Sequence, residues 1–466
     1  MIFGLMAVLT HAPLPSLGGT VVIYDRNPIE VLSPTRVNTT GAKLLSTSVF
    51  ETLFATDKNG NVTGELAQDD FSYKNGVLTF KLRPHVFLHN GQPLQHEHII
   101  NHFYKLAEER NGPALHIVAP FTQRGSEEIN PKLNISYSSE SGAFEIVTQP
   151  PYPDIMRLLS TSRSAISVEG LGTGPFKVTP TKTTTLESFI QFRRGAPYVD
   201  QIEHIGNISP FKARAALRSG AADFIFGIDD LDRKTETFAQ GNESSNFEDF
   251  IVLQVGPNSD DLANFTDLNN LRSVLNRERL VRRYLSERAS PATNFFAHHQ
   301  KLPRSRRFEQ TRKVRTMILN KDSVASIRFA ERVQFELVKK GLTVKIKSLP
   351  TSEFQQKVTS GEFDFALRNI SLSQASQSFA SSKLHRLLEV ASDYGVFKEI
   401  FNAKQMSAFA MARREEQSSL LAKLEKDLRE SARLVVIAKQ VPLVIQRKAI
   451  LNREEKTLKF EYLEKN

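Results

Sequence analysis

His98 and His102 stand four residues apart, with Glu97 beside the first, and on a helix that spacing can turn two imidazoles toward one metal ion. His85, His89 and His96 fall in the same stretch, but no third ligand has a suitable spacing, so these are read as surface histidines and no metal is assigned. His298 and His299 follow Phe295 and Phe296 and are expected in a loop. The pentapeptide Gly172-Thr173-Gly174-Pro175-Phe176 lacks the Lys-Ser/Thr that a phosphate loop needs. No Gly-x-Ser-x-Gly elbow, His-Glu-x-x-His motif or Walker loop occurs, and the acids show no catalytic spacing, so the chain is not expected to be an enzyme. The densest basic run, Lys301, Arg304, Arg306, Arg307, Arg312, Lys313 and Arg315 against Glu309, carries no interleaved aromatic ladder. It reads as a solvated loop, and no nucleic-acid partner is expected.

The chemistry that composition removes is as informative. There is no cysteine, which excludes disulfides, thiolate zinc sites, iron–sulfur clusters, a cysteine nucleophile and a lipidated N-terminal cysteine. Tryptophan is absent too, leaving aromatic stacking to Phe and Tyr. The 466 residues carry a net charge of +10 and are 40% hydrophobic, enough for two or three domains with a substantial core. No apolar run reaches the ~18–20 residues of a membrane span. A short one, Ile2–Leu9, precedes Thr10-His11-Ala12 and looks like the end of a secretion signal within residues 1–17, although it lacks a basic leader.

Strand and helix patterns alternate along the rest of the chain. Strands are predicted over Thr20–Tyr24, Val77–Leu82, Ala222–Ile228, Val314–Leu319, Leu342–Ile346 and Phe363–Leu367 from alternating or continuous apolar runs. Helices are predicted over Leu44–Leu53, Leu94–Glu109, Pro210–Ser219 with a Gly220 cap, Ser323–Lys340, Glu353–Ser360 and a long charged region, Gln405–Lys439. The tail, Pro442–Tyr462, returns to strand character. Such strand–helix–strand repetition indicates α/β lobes with largely parallel sheets.

The order of short blocks resembles family 5 extracellular solute-binding proteins, the dipeptide-, oligopeptide- and nickel-binding components of ABC importers. Gly18–Ile23 and Leu32-Ser33-Pro34 are similar to the family's opening strand and turn, and Ser48–Leu53 to its first helix. Gly64–Ala67, Leu78–Arg83, Val86–Leu94, Gly172–Phe176, Arg194–Asp200 and Ala216–Asp223 follow in the family's order. Each block alone is weak; their shared order covers roughly Gly18 to Lys448. The resemblance implies an α/β, periplasmic-binding-protein-like clamshell of type II. It would have two main lobes with mixed or parallel sheets plus an inserted third lobe. Lobe I would comprise residues 18–45, 150–250 and 436–466, lobe II residues 46–149, and lobe III residues 251–435. Two crossovers between lobes I and III would form a hinge.

The same resemblance implies a periplasmic or otherwise extracytoplasmic monomer. It would capture a small, peptide-like solute between two lobes and deliver it to an ABC permease, with no cofactor. The alternative is a clamshell sensor that binds a ligand without transport. Thr39, Thr40 and Gly41 lie where family members line the pocket, and Arg368, Asn369, Ser371 and Ser373 would approach from lobe III. Peptide-binding members carry a Trp and then an Asp on this strand, and that Asp pairs with the ligand's amino group. Here Ile370 and Ser373 take those places, and Ser376-Gln377 replaces a following Asp-Pro. A buried ammonium needs a carboxylate, so free-amine peptides are expected to bind poorly unless another acid, such as Glu362 or Asp393, reaches the cleft. Strand periodicity should turn Asp364 into the lobe. About four residues are missing near Leu271, and lobe III is expected to be a trimmed version.

Overall fold

A computed structural model describes residues 18–465 except 30, 38, 58–59, 110–112, 124–130, 180–181, 228–238, 244–246, 263–264, 286–287, 297–301, 303, 309–312, 322–326, 374–379, 448–449 and 453–462. The secretion-signal segment, His298-His299 and Ser376-Gln377 lie outside the described residues.

Thr20–Asp25 alternates half-buried and buried positions, so Val21, Ile23 and Asp25 face inward. It pairs in parallel with Gln201–Ile205 on one side and Phe224–Phe226 on the other. Antiparallel strands complete a seven-stranded sheet, in the order 239–243, 443–447, 224–226, 20–25, 201–205, 182–188, 176–179. Helix Thr40–Val49 packs Leu44, Leu45 and Val49 against Val21, Ile23 and Phe226.

The second sheet has six strands, ordered 289–291, 434–440, 247–255, 365–373, 314–320, 343–349. Its middle is antiparallel and one edge parallel, so both large sheets are mixed rather than largely parallel. Ile251, Leu253 and Val255 enter a core with Leu268, Leu271, Phe329 and Val333. Phe250 and Val252, on the other face, enter a core with Leu384, Leu388 and Leu428.

A third, four-stranded antiparallel sheet, ordered 72–74, 77–80, 143–147, 135–138, packs against helix His96–Glu108. Its buried Leu78, Phe80, Phe103 and Phe144 belong to one cluster with Phe250, Leu384, Leu388 and Leu428. Each fully buried apolar side chain of this kind contributes about 1.5–3 kcal/mol. The small sheet and the six-stranded sheet are therefore joined through a continuous apolar interior.

Several element boundaries differ from the sequence prediction. The first helix begins at Thr40, four residues early, because Thr39 caps it by accepting from the Ala42 N–H at 3.2 Å. It ends at Val49, and Phe50–Leu53 is not helical. The long charged region is two helices, Ala403–Met411 and Arg414–Ser431, followed by a strand, Leu434–Gln440, that holds Lys439. That strand is needed between Ala289–Pro291 and Phe247–Val255, and sheet pairing overrides helical composition there. Pro210–Ser219 is helical as predicted, with Gly220 in the left-handed conformation at its end.

The basic run needs one correction. Arg304, Arg306, Arg307 and Lys313 are exposed, but Arg315 is wholly buried on a strand and paired with Asp261.

Candidate functional site

Helix Thr40–Val49 starts against the carboxyl end of the parallel strand Thr20–Asp25. In open α/β sheets that end is where ligands are usually held. The approach is close: a Cβ on Gly41 would come within 2.1 Å of Asp25 Oδ2 and 3.0 Å of the Phe226 ring. Asp25 is buried, with His204 Nε2 3.3 Å away.

The opposite wall comes from the six-stranded sheet. Ser371 Oγ lies 3.3 Å from Thr40 Oγ1, so two of the sequence-predicted residues meet across the seam. Lys43, one turn further along the helix, is fully buried. Its Nζ donates to Ser371 O at 2.6 Å and to Glu389 Oε1 at 2.7 Å. Glu389 lies on helix Ala380–Asp393, whose Leu384, Leu387, Leu388 and Ala391 anchor it in the shared core.

Arg163 closes the seam from a third direction. Its Nε donates to Glu389 Oε1 at 2.9 Å, while Nη1 and Nη2 donate to the two oxygens of Asp393, each at 2.7 Å. A further bond runs from Nη1 to Pro113 O at 3.0 Å. Burial alone would raise the Glu389 carboxyl, but Lys43 and Arg163 outweigh it and hold it at about 2. Nearby, Tyr152 Oη lies 2.8 Å from His385 Nε2, and His116 Nδ1 lies 2.9 Å from Ser392 Oγ. Burial pushes both imidazoles down to about 3. Deeper on the same helix, Arg386 donates to Glu248 Oε2 at 2.7 Å, and Lys439 donates to Glu248 Oε1 at 2.6 Å.

The remaining predicted residues are placed as follows. Thr39 is the helix cap. Arg368 bonds Gln254 Oε1 at 3.0 Å and lies 4.4 Å over the Tyr394 ring, on the strand face opposite Asn369 and Ser371. Asn369 Oδ1 is buried with no partner among the described residues. Ser373 ends its strand opposite Phe247. Asp364 faces into the lobe, accepting from Ser259 Oγ at 2.9 Å and the Thr316 N–H at 2.8 Å. Of the two alternative acids, Glu362 is on the surface beside Lys357, and Asp393 reaches the seam but is held by Arg163.

Sequence reasoning missed Lys43, Arg163 and Glu389. A signal existed for two of them: Lys43 is the single charge in Thr40–Val49, and Glu389 interrupts an apolar run. The histidine pair also differs from expectation. His98 Nδ1 accepts from the Gln95 N–H at 3.0 Å in a capping box. His102 is buried rather than at the surface, and burial pushes it down to about 4. Among the described residues no group of His, Cys, Asp or Glu could hold a metal.

A separate open cleft of about 730 Å³ is lined by Gln68, Asp69, Asp70, Arg83, Pro84 and Arg193, none of which belongs to the seam. Beside it, Arg193 and Arg194 share Glu51 and Glu65, and burial pushes the Glu51 carboxyl up to about 7.

Comparison with known proteins agrees with this architecture. DppA from Helicobacter pylori, in complex with the peptide STSA, superposes with a TM-score of 0.76 at 14% identity, covering 97% of this chain and 98% of that one. NikA from Staphylococcus aureus, in complex with Ni(L-His)2, gives 0.75 at 14% identity over 96% and 100% of the two chains. AgaA from A. tumefaciens R10, in complex with agropinic acid, gives 0.74 at 15% identity over 96% and 99%. At such identities the likeness establishes the periplasmic-binding-protein clamshell fold. Among the described residues no helix is long and apolar enough to cross a membrane. The family profile of the middle part of bacterial extracellular solute-binding proteins, family 5, matches residues 61–304, more than half of the chain, and the protein belongs to that family of solute-binding proteins.

Proposed function

We propose that this protein is an exported, non-catalytic receptor that captures a peptide-like, neutral or acidic solute between its lobes and hands it to an ABC permease. Lobe I is the seven-stranded sheet, lobe II the four-stranded sheet and its helices, and lobe III the six-stranded sheet. The seven-stranded sheet holds Ala239–Glu243 and Leu443–Arg447, and the six-stranded sheet holds Phe247–Val255 and Leu434–Gln440, so the chain passes twice between the two lobes, and these two passages would serve as the hinge. Ligand binding favours the closed form because contacts from Thr40 and from Asn369 and Ser371 can reach one solute only when the lobes meet.

One observation supports the ligand class: the three seam carboxylates contributed by the six-stranded lobe are each taken by a protein cation, and Asp25 on the facing side is occupied by His204 and the Asn27 N–H. Glu389 holds Lys43 and Arg163, Asp393 holds Arg163, and Glu248 holds Arg386 and Lys439. A ligand ammonium entering here would be desolvated without a free acid to meet it. The fold itself accepts varied cargo, since the superposed proteins hold a peptide, a nickel–histidine complex and agropinic acid.

Calorimetry with trialanine and N-acetyl-trialanine tests this reading. The acetylated peptide is expected to bind at least about tenfold tighter, a difference of about 1.4 kcal/mol. Submicromolar binding of free trialanine, abolished by acetylation, would overturn it.

A further inference from the structure

Lys43 is the least expected side chain in the seam. It leaves a helix of the seven-stranded lobe, is completely buried, and ends on two acceptors of the six-stranded lobe, Ser371 O at 2.6 Å and Glu389 Oε1 at 2.7 Å. Both acceptors converge on one nitrogen, and neither can donate when Glu389 is ionised. A hydroxyl has one hydrogen and could satisfy one of them at a time. A guanidinium is broad and planar and needs a wider slot. The pair of acceptors fits a primary ammonium. Arg163 supplies one bond to Glu389 from the side, and its other three bonds run to Asp393 and Pro113 O.

We propose that the Glu389–Ser371 corner is a primary-ammonium site occupied by the chain's own Lys43, and that Lys43 is the specificity residue that bars free-amine solutes from the cleft. Its meaning for ligand choice rests on the solute-receptor reading above; the site itself does not. In the open form Lys43 and Glu389 are separately hydrated. On closure the tethered ammonium reaches the corner ahead of any free one, because its effective concentration is set by one short side chain. A solute amine must displace it and leave Lys43 buried without a partner.

The substitution Lys43→Ala removes three carbons and one nitrogen, the composition of n-propylamine, with n-propanol as the neutral control. Thermal melts of the full chain are the readout. Lys43→Ala should melt lower than wild type, and millimolar n-propylamine should raise its melting temperature by several degrees more than n-propanol does. Wild type and the double variant Lys43→Ala/Glu389→Gln should show no such difference. An equal response to amine and alcohol, or an amine effect that survives Glu389→Gln, overturns the proposal. Should Lys43→Ala not fold unaided, refolding with each additive reads the same competition: recovery with the amine alone supports the site, and no difference overturns it.

Free trialanine should also bind Lys43→Ala at least tenfold tighter than wild type. If n-propylamine rescues Lys43→Ala but neither trialanine nor its acetylated form binds either protein, the ammonium site stands and the receptor reading falls.

Discussion

Gly41 sits where a helix start meets a buried carboxylate, and its missing side chain is what allows Thr40 and Lys43 to face the other lobe. An added Cβ would press on Asp25, which is fixed by His204 and Asn27, so the neighbour cannot swing away freely. Gly41→Ala is expected to lower stability by about 1–3 kcal/mol in urea denaturation. A change within about 0.5 kcal/mol would show that the strand end yields. Thr39-Thr40-Gly41 was legible through the family resemblance, which puts pocket-lining residues between the opening strand and the first helix. Lys43 escapes such a reading, since lysine is almost never fully buried unless paired and its partner is 346 residues away.

Helix Ala380–Asp393 organises the seam. It presents His385, Glu389, Ser392 and Asp393 to partners contributed by distant segments, while its leucines sit in the shared core. Glu389→Gln would leave the Lys43 ammonium buried without its carboxylate. It should destabilise the protein by about 3–5 kcal/mol, read from the urea midpoint. A loss below about 1 kcal/mol would mean that water reaches Lys43 freely. Elements with strong local punctuation were legible, as in Pro210–Ser219 between Ser209 and Gly220. Leu434–Gln440 was not, because its strand state depends on neighbours on both sides rather than on its own pattern. The parallel character of the sheets was likewise overread, since antiparallel pairing partners come from remote parts of the chain.

Across the whole molecule, the buried imidazoles set the response to acid. Burial pushes His89 and His102 down to about 4 and His116 and His385 to about 3, against 6.5 for the free group. Below pH 6.5 the unfolded chain takes up protons that the folded chain refuses. Stability is therefore full above 6.5 and falls with pH, by up to about 1.4 kcal/mol per unit for each histidine. Glu51, raised from 4.5 to about 7 mainly by burial, acts oppositely: its contribution is full below 4.5 and fades as pH rises through 7. Glu389 adds a loss below 4.5 as pH falls toward 2. Asp154, also raised by burial, acts in the same direction as Glu51, and four histidines outweigh these two carboxyls between pH 6.5 and 4.5, so the melting temperature should drop across that interval; a flat profile would contradict the burial of these imidazoles. The same scale carries the central claim, capture of a solute by lobe closure. A buried ion pair returns little beyond the cost of its desolvation, so the Lys43–Glu389 contact fixes how the lobes meet without itself driving them together. The ligand must supply that difference. Small-angle scattering of protein stripped of ligand, then titrated with the solute that calorimetry identifies, reads this directly. A smaller radius of gyration at saturation is expected, and an unchanged scattering curve at full occupancy would contradict the clamshell account.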